Sequence, residues 1–438
     1  MTQATGVVDQ PTADARRSIR SVLASTEVDT RLLGMLLALA VIWVGFNILS
    51  GGLFLTARNL WNLSVQTSAV AIMATGMVLI IVSRNIDLSI GSILGFVGYT
   101  MVMVQVIWIP SSLGLGLGQP YTWIVALAVG LLLGALIGGL QGWIIAYLKV
   151  PAFIVTLGGL LVWRGLIFEY QSGQTIAPVD KTFALLGGGP TGSIGDVGSW
   201  IFGLLACVGI GLTLLAGRRR RRKYGFPLRP LWAEVAIGII GSVVVLGAVW
   251  VANSYLWPES LAEQYALQHN ITPPPGGLKI PTGIAYPVFI MIGVTLVMTF
   301  IATRLKFGRY VFAIGGNPEA AELGGINTRR TIMLTFVLMG VLCAISGAIQ
   351  SARLNAGVTS LGTQNELDVI AAAVIGGTSF SGGIGTIPGA VLGAVVMQSL
   401  RSGMILLRVD SPIQDIVVGV VLVGAVGLDT LIRRRSSR

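Results

Sequence analysis

Charged side chains are scarce in this chain. Only 11% of its 438 residues are Asp, Glu, Lys or Arg, and its mean hydropathy is +0.82. Soluble globular domains carry about 25% charged residues. A soluble enzyme or soluble binding module is therefore excluded, and a membrane protein is indicated.

Cysteine and histidine are rarer still. The chain has two cysteines, Cys207 and Cys343, and a single histidine, His269. Both cysteines lie in apolar segments, so they are interpreted as small buried hydrophobic residues. One histidine cannot build a zinc site alone, so we expect no metal site.

Motifs for nucleotide and hydrolytic chemistry are missing as well. The sequence contains no G-x-x-x-x-G-K-[ST], H-E-x-x-H or G-x-S-x-G. The first of these absences excludes phosphate binding by a P-loop. We therefore expect no catalytic residues and no cofactor in this chain, and any active transport must draw its energy from another chain.

What the sequence does have is a series of long apolar runs, each near the roughly 20 residues that a helix needs to cross a bilayer. We predict an all-α polytopic membrane protein with about 10–12 transmembrane helices, including short or broken helices. The predicted spans are 32–50, 64–83, 88–108, 122–148, 151–170, 198–216, 231–252, 283–303, 331–352, 387–407 and 413–432. The apolar stretch 366–378 is too short for a comfortable crossing and is predicted to be a half-helix.

Most of the positive charge falls on one predicted face. The net charge is +11, and the Lys and Arg residues concentrate at 16–31, 218–229, 304–330 and 433–438. The positive-inside rule makes that face cytoplasmic. The run GRRRRRK lacks the aromatic residues and the soluble carrier domain typical of nucleic-acid binding, so we expect contact with lipid headgroups and no nucleic-acid partner.

The predicted domain organisation follows from these spans. Residues 1–30 are expected to form a disordered cytoplasmic tail, and 433–438 a second cytoplasmic tail. The transmembrane domain occupies 31–432, with the helix pair at 198–252 and a cytoplasmic loop at 303–330 inside it. Both termini then lie on one side of the membrane.

Segments 70–98 and 368–396 share a pattern: an apolar helix, a glycine-containing polar break, and a second helix rich in small residues. Two explanations remain open, namely parallel structural repeats and the general suitability of small residues for tight membrane turns. We expect Asp87 and Asp368 to cap half-helices at these breaks. The residues proposed for a translocation path here are Asp87, Ser89, Gly91, Asp368, Gly376 and Gly377.

Glycines also recur every four positions in the fourth predicted span, at Gly134, Gly138 and Gly142. This spacing allows two helix backbones to approach closely. Packing inside one subunit is favoured over a dimer interface.

The loop near 304–330 contains a short helix with clear signals at both ends. Its sequence is FGRYVFAIGGNPEAAELGGINTRR. Asn317 can cap the helix, Pro318 suits its first position, and Glu319 favours its positive end. Gly324 and Gly325 end it. About six helical residues are far fewer than the roughly 12–15 that an isolated helix needs in water, so we expect this helix to dock onto a partner.

Three stretches resemble a known family. They are MATGMVLIIVSRNIDLSIGSILG (73–95), TRLKFGRYVFAIGGNPEAAELGGI (303–326) and ELDVIAAAVIGGTSFSGGIGTIPGAVLG (366–393). The chain resembles the permease subunits of bacterial ATP-binding-cassette (ABC) sugar importers of the ribose/xylose class. The pair at 198–252 and the sequence QTIAP at 174–178 make it more similar to the xylose type.

The resemblance implies a homodimeric permease in the bacterial cytoplasmic membrane, for xylose or a related pentose or hexose. An extracytoplasmic sugar-binding protein would deliver the sugar to loops 171–197 and 253–282, and a separate ABC ATP-binding subunit would hold ATP and Mg²⁺. In this family the loop at 303–330 docks onto that subunit. Carried over residue by residue, the interface is Gly315, Gly316, Asn317, Glu319, Ala320, Ala321, Gly325 and Ile326.

Two other kinds of transporter remain as alternatives. One is an ABC permease for branched-chain amino acids or nucleosides, and the other is an ion-coupled secondary carrier. A receptor or scaffold protein without transport is a third alternative. No pocket residues are predicted, because hydrogen-bonding side chains are scattered among apolar helices without a diagnostic spacing.

Overall fold

The computed structural model describes residues 30–114, 118–170 and 172–436, so the predicted disordered tail lies outside the described residues except for Thr30. The described residues form seventeen α-helices joined by loops and short turns. The helices are α1 (Thr30–Leu49), α2 (Ala57–Val82), α3 (Ile90–Met103), α4 (Ile109–Leu113), α5 (Thr122–Tyr147), α6 (Ala152–Tyr170), α7 (Lys181–Ala184), α8 (Gly195–Lys223), α9 (Leu231–Ser254), α10 (Glu259–Gln268), α11 (Tyr286–Arg304), α12 (Lys306–Gly316), α13 (Pro318–Leu323), α14 (Thr328–Leu354), α15 (Asn365–Ile375), α16 (Ile387–Leu406) and α17 (Ser411–Ser436).

The all-α polytopic fold is confirmed. Ten of the described helical segments are long and apolar enough to cross a membrane, and one of them joins α3 to α4 through a π-helical turn. The predicted half-helix is α15, which has 11 residues. Helix α17 continues into the predicted second tail, as far as Ser436.

The centre of the molecule is formed by α2 and α3, which are buried along almost their whole length. Apart from the polar first turns of α2, both are apolar on all sides, as expected for helices surrounded by other helices. Helices α1, α8, α9 and α11 instead expose large apolar side chains around the outside. In a bilayer these side chains contact lipid.

The predicted helix pair at 198–252 corresponds to α8 and α9. These helices pack mainly against each other, and α9 also contacts α2. At the basic end of the pair, Arg218 forms a 2.8 Å ion pair with Glu234.

The closest helix pair in the core is α5 with α14. A Cβ atom at Gly134 would overlap the carbonyl oxygen of Gly340, and one at Gly138 would overlap that of Phe336. The four-residue glycine spacing therefore serves packing inside the chain, as predicted.

This contact predicts a large stability effect. We expect Gly340→Val to destabilise the folded protein by more than about 3 kcal/mol, because the added side chain must force the two backbones apart. A thermal unfolding curve in detergent measures the change. Gly139→Ala is the matched control, because a Cβ at Gly139 would lie 3.6 Å from Val337 Cγ2, an ordinary contact. Equal unfolding temperatures for the two variants would contradict the prediction.

Candidate functional site

The N-terminus of α13 is built as the sequence predicts. Asn317 has an extended backbone, and its Oδ1 accepts a 3.0 Å hydrogen bond from the backbone N–H of Ala320. Pro318 occupies the first helical position, and Glu319 lies in the first turn. The helix therefore begins at a fixed residue rather than fraying.

The C-terminus of α13 is fixed by two backbone hydrogen bonds. The N–H of Gly325 donates to the carbonyl of Glu322 at 2.9 Å, and that of Ile326 donates to the carbonyl of Ala321 at 3.1 Å. This pair of bonds is a Schellman motif. It needs a left-handed residue, and Gly325 has a φ of +82°. A side chain at this position would strain the backbone.

The predicted docking residues do not all lie on the surface. The exposed ones are Gly316, Asn317, Glu319, Ala320 and Gly325. Ile326 is half-buried, whereas Gly315 and Ala321 are buried and lie behind the exposed face. Those two residues position α13 rather than presenting a surface in this conformation.

One exposed residue of α13 was missed. Leu323 leaves 90% of its surface exposed. The sequence gives little indication that this leucine is exposed, because a leucine followed by two glycines is common at the end of a helix. On a loop that faces water, a leucine this exposed is an apolar contact available to a partner.

Helix α12 was also missed, because its charged, glycine-containing sequence was interpreted as part of the loop at 303–330. It is amphipathic, and its buried face contains Gly308, Val311, Ile314 and Gly315. That face packs on α2, α11 and α14. The six residues of α13 are therefore attached to a longer helix that is anchored on the core.

Three segments meet at the C-terminus of α12. The guanidinium of Arg84 donates from Nε to the carbonyl of Gly315 and from Nη2 to the carbonyl of Gly316, each at 2.8 Å. Beside it, the backbone N–H of Gly383 donates to the carbonyl of Val82 at 3.0 Å. The α2–α3 connection, the α15–α16 connection and the loop at 303–330 thus meet at one place through these two sets of hydrogen bonds.

The α2–α3 connection contains the buried carboxylate of Asp87. Its Oδ1 accepts hydrogen bonds from the backbone N–H of Ser89 at 2.9 Å and from the Ser89 hydroxyl at 2.6 Å. Burial raises the pKa of Asp87 to about 6, and the Ser89 hydrogen bonds act in the opposite direction. The N-terminus of α3 has no side-chain cap, so the expectation that Asp87 caps a half-helix is wrong. Asp87 forms a local turn instead.

The glycines proposed for the path breaks are sites of close backbone approach. A Cβ at Gly91 would overlap the carbonyl oxygen of Gly362, and one at Gly376 would contact the backbone of Gly389. Gly377 has a φ of +92°. These positions tolerate only glycine because of packing or backbone conformation.

A polar cavity of about 420 Å³ lies at the opposite end of α14 from α13. Helices α2, α14, α15 and α16 surround it. Its lining residues are Val65, Gln66, Ala69, Val70, Ile349, Gln350, Arg353, Leu354, Thr363, Asn365, Asp368, Gln398 and Arg401.

Asp368 lies in the wall of this cavity and is not a helix cap. Its carboxylate accepts a hydrogen bond from Arg401 Nε, which lies 2.8 Å from Oδ1 and 2.7 Å from Oδ2. Gln398 adds a longer hydrogen bond of 3.4 Å. The residue that precedes α15 is Gln364, which makes no side-chain cap. The capping expectation for Asp368 is therefore wrong as well.

Among the described residues, no group of three or more His, Cys, Asp or Glu side chains is placed to hold a metal ion.

Comparison with known proteins places this arrangement in a family. The family described as "Branched-chain amino acid transport system / permease component" matches residues 59–426. The xylose transport system permease protein XylH of Haemophilus influenzae is 38% identical over 396 residues, which are 90% of this chain and 95% of the relative. XylH of Escherichia coli K12 is 39% identical over 404 residues, or 92% of each chain.

A second group of relatives is more distant. The ribose import permease protein RbsC of Escherichia coli K12 is 33% identical over 376 residues, which are 86% of this chain and 87% of the relative. No solved structure matches the chain. Because the family match spans most of the chain and these relatives align over nearly their full lengths, the protein belongs to this family of membrane transport permeases.

Proposed function

We propose that this protein is the membrane subunit of an ABC importer for a monosaccharide, with xylose as the first candidate. The observation that supports this most is the alignment with xylose permeases over 90% and 92% of the chain. The doubly capped α13 agrees with it, because a helix fixed at both ends presents its exposed face to a partner in one orientation. The xylose permeases align at 38% and 39% identity and the ribose permease at 33%, which favours xylose over ribose.

The two proposed partner proteins dock on opposite sides of the membrane. A separate ATP-binding subunit, which holds ATP and Mg²⁺, docks on the exposed face of α13 in the cytoplasm. A sugar-binding protein docks on the loops at 172–197 and 253–282 on the other side. Two copies of this chain form the permease, both termini are cytoplasmic, and the chain itself is not catalytic.

The contacts of α12 give a route for coupling. When the ATP-binding subunits close, they displace α13, and α12 moves with it. Arg84 and Gly315 transmit that displacement to the α2–α3 connection and to the loop near Gly383. Nucleotide binding thereby shifts the balance between conformations of the core helices.

Uptake into proteoliposomes tests the proposal. The permease is reconstituted with its ATP-binding subunit, with the binding protein on the outside and ATP on the inside. We expect radiolabelled xylose to accumulate only when all three proteins and hydrolysable ATP are present. Uptake driven by an ion gradient without the ATP-binding subunit would overturn the proposal. Uptake of leucine or a nucleoside in place of any sugar would support the alternative ABC permease.

A further inference from the structure

The polar cavity at the far end of α14 has the size of a ligand site. Its volume of about 420 Å³ falls within the roughly 300–1,000 Å³ of small-molecule pockets. The non-helical segment at 355–364 runs beside it, and Arg164 donates to the carbonyls of Thr359 and Leu361 at 3.2 and 2.8 Å. Irregular backbone at membrane depth is tolerated where it lines a cavity or is buried in protein.

Two of the three charged residues in the lining, Asp368 and Arg401, neutralise each other, whereas Arg353 forms no ion pair within the described residues. Arg401 is paired with Asp368 at 2.7 Å and lies 3.9 Å from Asp415. Gln364 donates to the other side of Asp415 at 2.9 Å. Both carboxylates are thus engaged within the protein, and neither is free to bind a cationic ligand.

Two residues of the lining each carry a buried hydrogen-bond donor that is left without a partner. Arg353 Nη1 and Asn365 Nδ2 are buried and make no hydrogen bond within the described residues. The other terminal nitrogen of Arg353 reaches only Asn62 Oδ1, at 3.5 Å. A buried donor that makes no hydrogen bond loses the hydration it has in the unfolded chain, which destabilises the fold unless a ligand replaces it. The C-terminus of α14 favours the positive charge of Arg353, but it does not satisfy this N–H group.

The ligand chemistry follows from this set of groups. The cavity combines unpaired N–H donors with the amides of Gln66 and Gln350, which can both donate and accept. A hydroxyl group is also both a donor and an acceptor, so several hydroxyls on one small neutral molecule match the lining. We propose that this cavity binds the sugar in transit through the subunit, an inference that rests on the proposed function.

The lining also fits a weak site. It contains no aromatic ring, and aromatic rings supply much of the contact area in tight sites. A transit site must release what it binds. The cavity therefore holds the sugar through directed hydrogen bonds and with low affinity.

The first test uses Asn365→Leu and Arg353→Met in the reconstituted transporter. Each removes an unpaired donor while keeping a side chain of similar length. We expect xylose uptake to fall at least tenfold, while stimulation of ATP hydrolysis by the loaded binding protein stays within twofold of the unmodified protein. Unchanged uptake in both variants would overturn the inference. If the unmodified transporter takes up no sugar, the proposed function has failed instead.

The matched control is Asn253→Leu. Asn253 also has a buried side-chain amide without a partner, but it lies in α9 and does not line the cavity. Uptake by this variant should stay within twofold. A tenfold loss here would mean that removing any buried amide impairs transport, which would overturn the role given to Asn365.

A second test avoids folding effects because it changes the protein after assembly. In a background with Cys207→Ser and Cys343→Ala, Thr363→Cys places a thiol at the exposed rim of the cavity. We expect a bulky, membrane-impermeant thiol reagent to lower xylose uptake at least tenfold. Ser112→Cys, which is exposed at the end of α4, should show no change. Full uptake after complete labelling of Thr363→Cys would overturn the inference.

Discussion

Leu323→Asp is expected to weaken binding of the ATP-binding subunit about a hundredfold. Leu323 is 90% exposed at the end of α13. Burying a leucine side chain in an interface contributes about 1.5–3 kcal/mol, and an unpaired carboxylate in its place adds a desolvation cost. A loss near 2.8 kcal/mol corresponds to a hundredfold change in Kd. Titration of the purified subunits in detergent measures it.

The control for this prediction is Leu267→Asp. Leu267 is also highly exposed, at 79%, but it lies in α10 rather than in the loop at 303–330. Its replacement should leave the affinity for the ATP-binding subunit unchanged. An unaltered Kd for Leu323→Asp would show that this leucine does not enter the interface, and α13 would then need another apolar contact.

The signals that the sequence revealed correctly are local ones. The cap at Asn317 and the glycine at 325 each act on the helix turn beside them, so residue types alone predict the helix between them. The glycine spacing in α5 was equally readable, because every fourth residue lies on one helix face. Local rules of this kind require no knowledge of the tertiary structure.

Helix boundaries were harder to predict where polar residues enter a span. The second span was predicted to begin at residue 64, whereas α2 begins at Ala57. Arg58, Asn59 and Asn62 make the first two turns polar, and a hydropathy window excludes them. In the fold these side chains lie near the end of the membrane-spanning core, where polar partners are available.

The polar cavity could not be predicted because its residues come from distant parts of the chain. Asp368 and Arg401 are 33 positions apart, and Arg353 and Asn62 are 291 apart. Each residue is flanked by apolar neighbours that look alike from one helix to the next. Only the packing of α2, α14, α15 and α16 brings these side chains together.

Arg84 presents the same difficulty and yields the second large prediction. It lies 231 positions before Gly315, and it appeared in the sequence only as a charge at the end of a span. Its two 2.8 Å hydrogen bonds bind the last carbonyls of α12. Hydrogen bonds to a charged group contribute about 1.5–3 kcal/mol when buried and less here, since Arg84 is exposed.

We expect Arg84→Ala to separate ATP hydrolysis from transport. The ATP-binding subunit should still bind, because the exposed face of α13 is unchanged, but its movement should no longer reach the α2–α3 connection. The number of xylose molecules taken up per ATP hydrolysed should fall about tenfold, equivalent to about 1.4 kcal/mol of lost coupling. Parallel assays of uptake and phosphate release in the same proteoliposomes measure this ratio.

Two further variants separate coupling from general damage. Arg84→Lys keeps a cation that can reach one of the two carbonyls, so it should recover part of the ratio. Lys149, in the α5–α6 connection, is also an exposed cation, and like Arg84 it has a left-handed backbone, with φ values of +58° and +63°. Lys149→Ala should leave the ratio unchanged. If Arg84→Ala and Lys149→Ala behave alike, the contact between Arg84 and α12 does not transmit the movement. Transmission would then depend on the backbone contacts of Gly315 with Val82 and Gly383, which no side-chain truncation at position 84 removes.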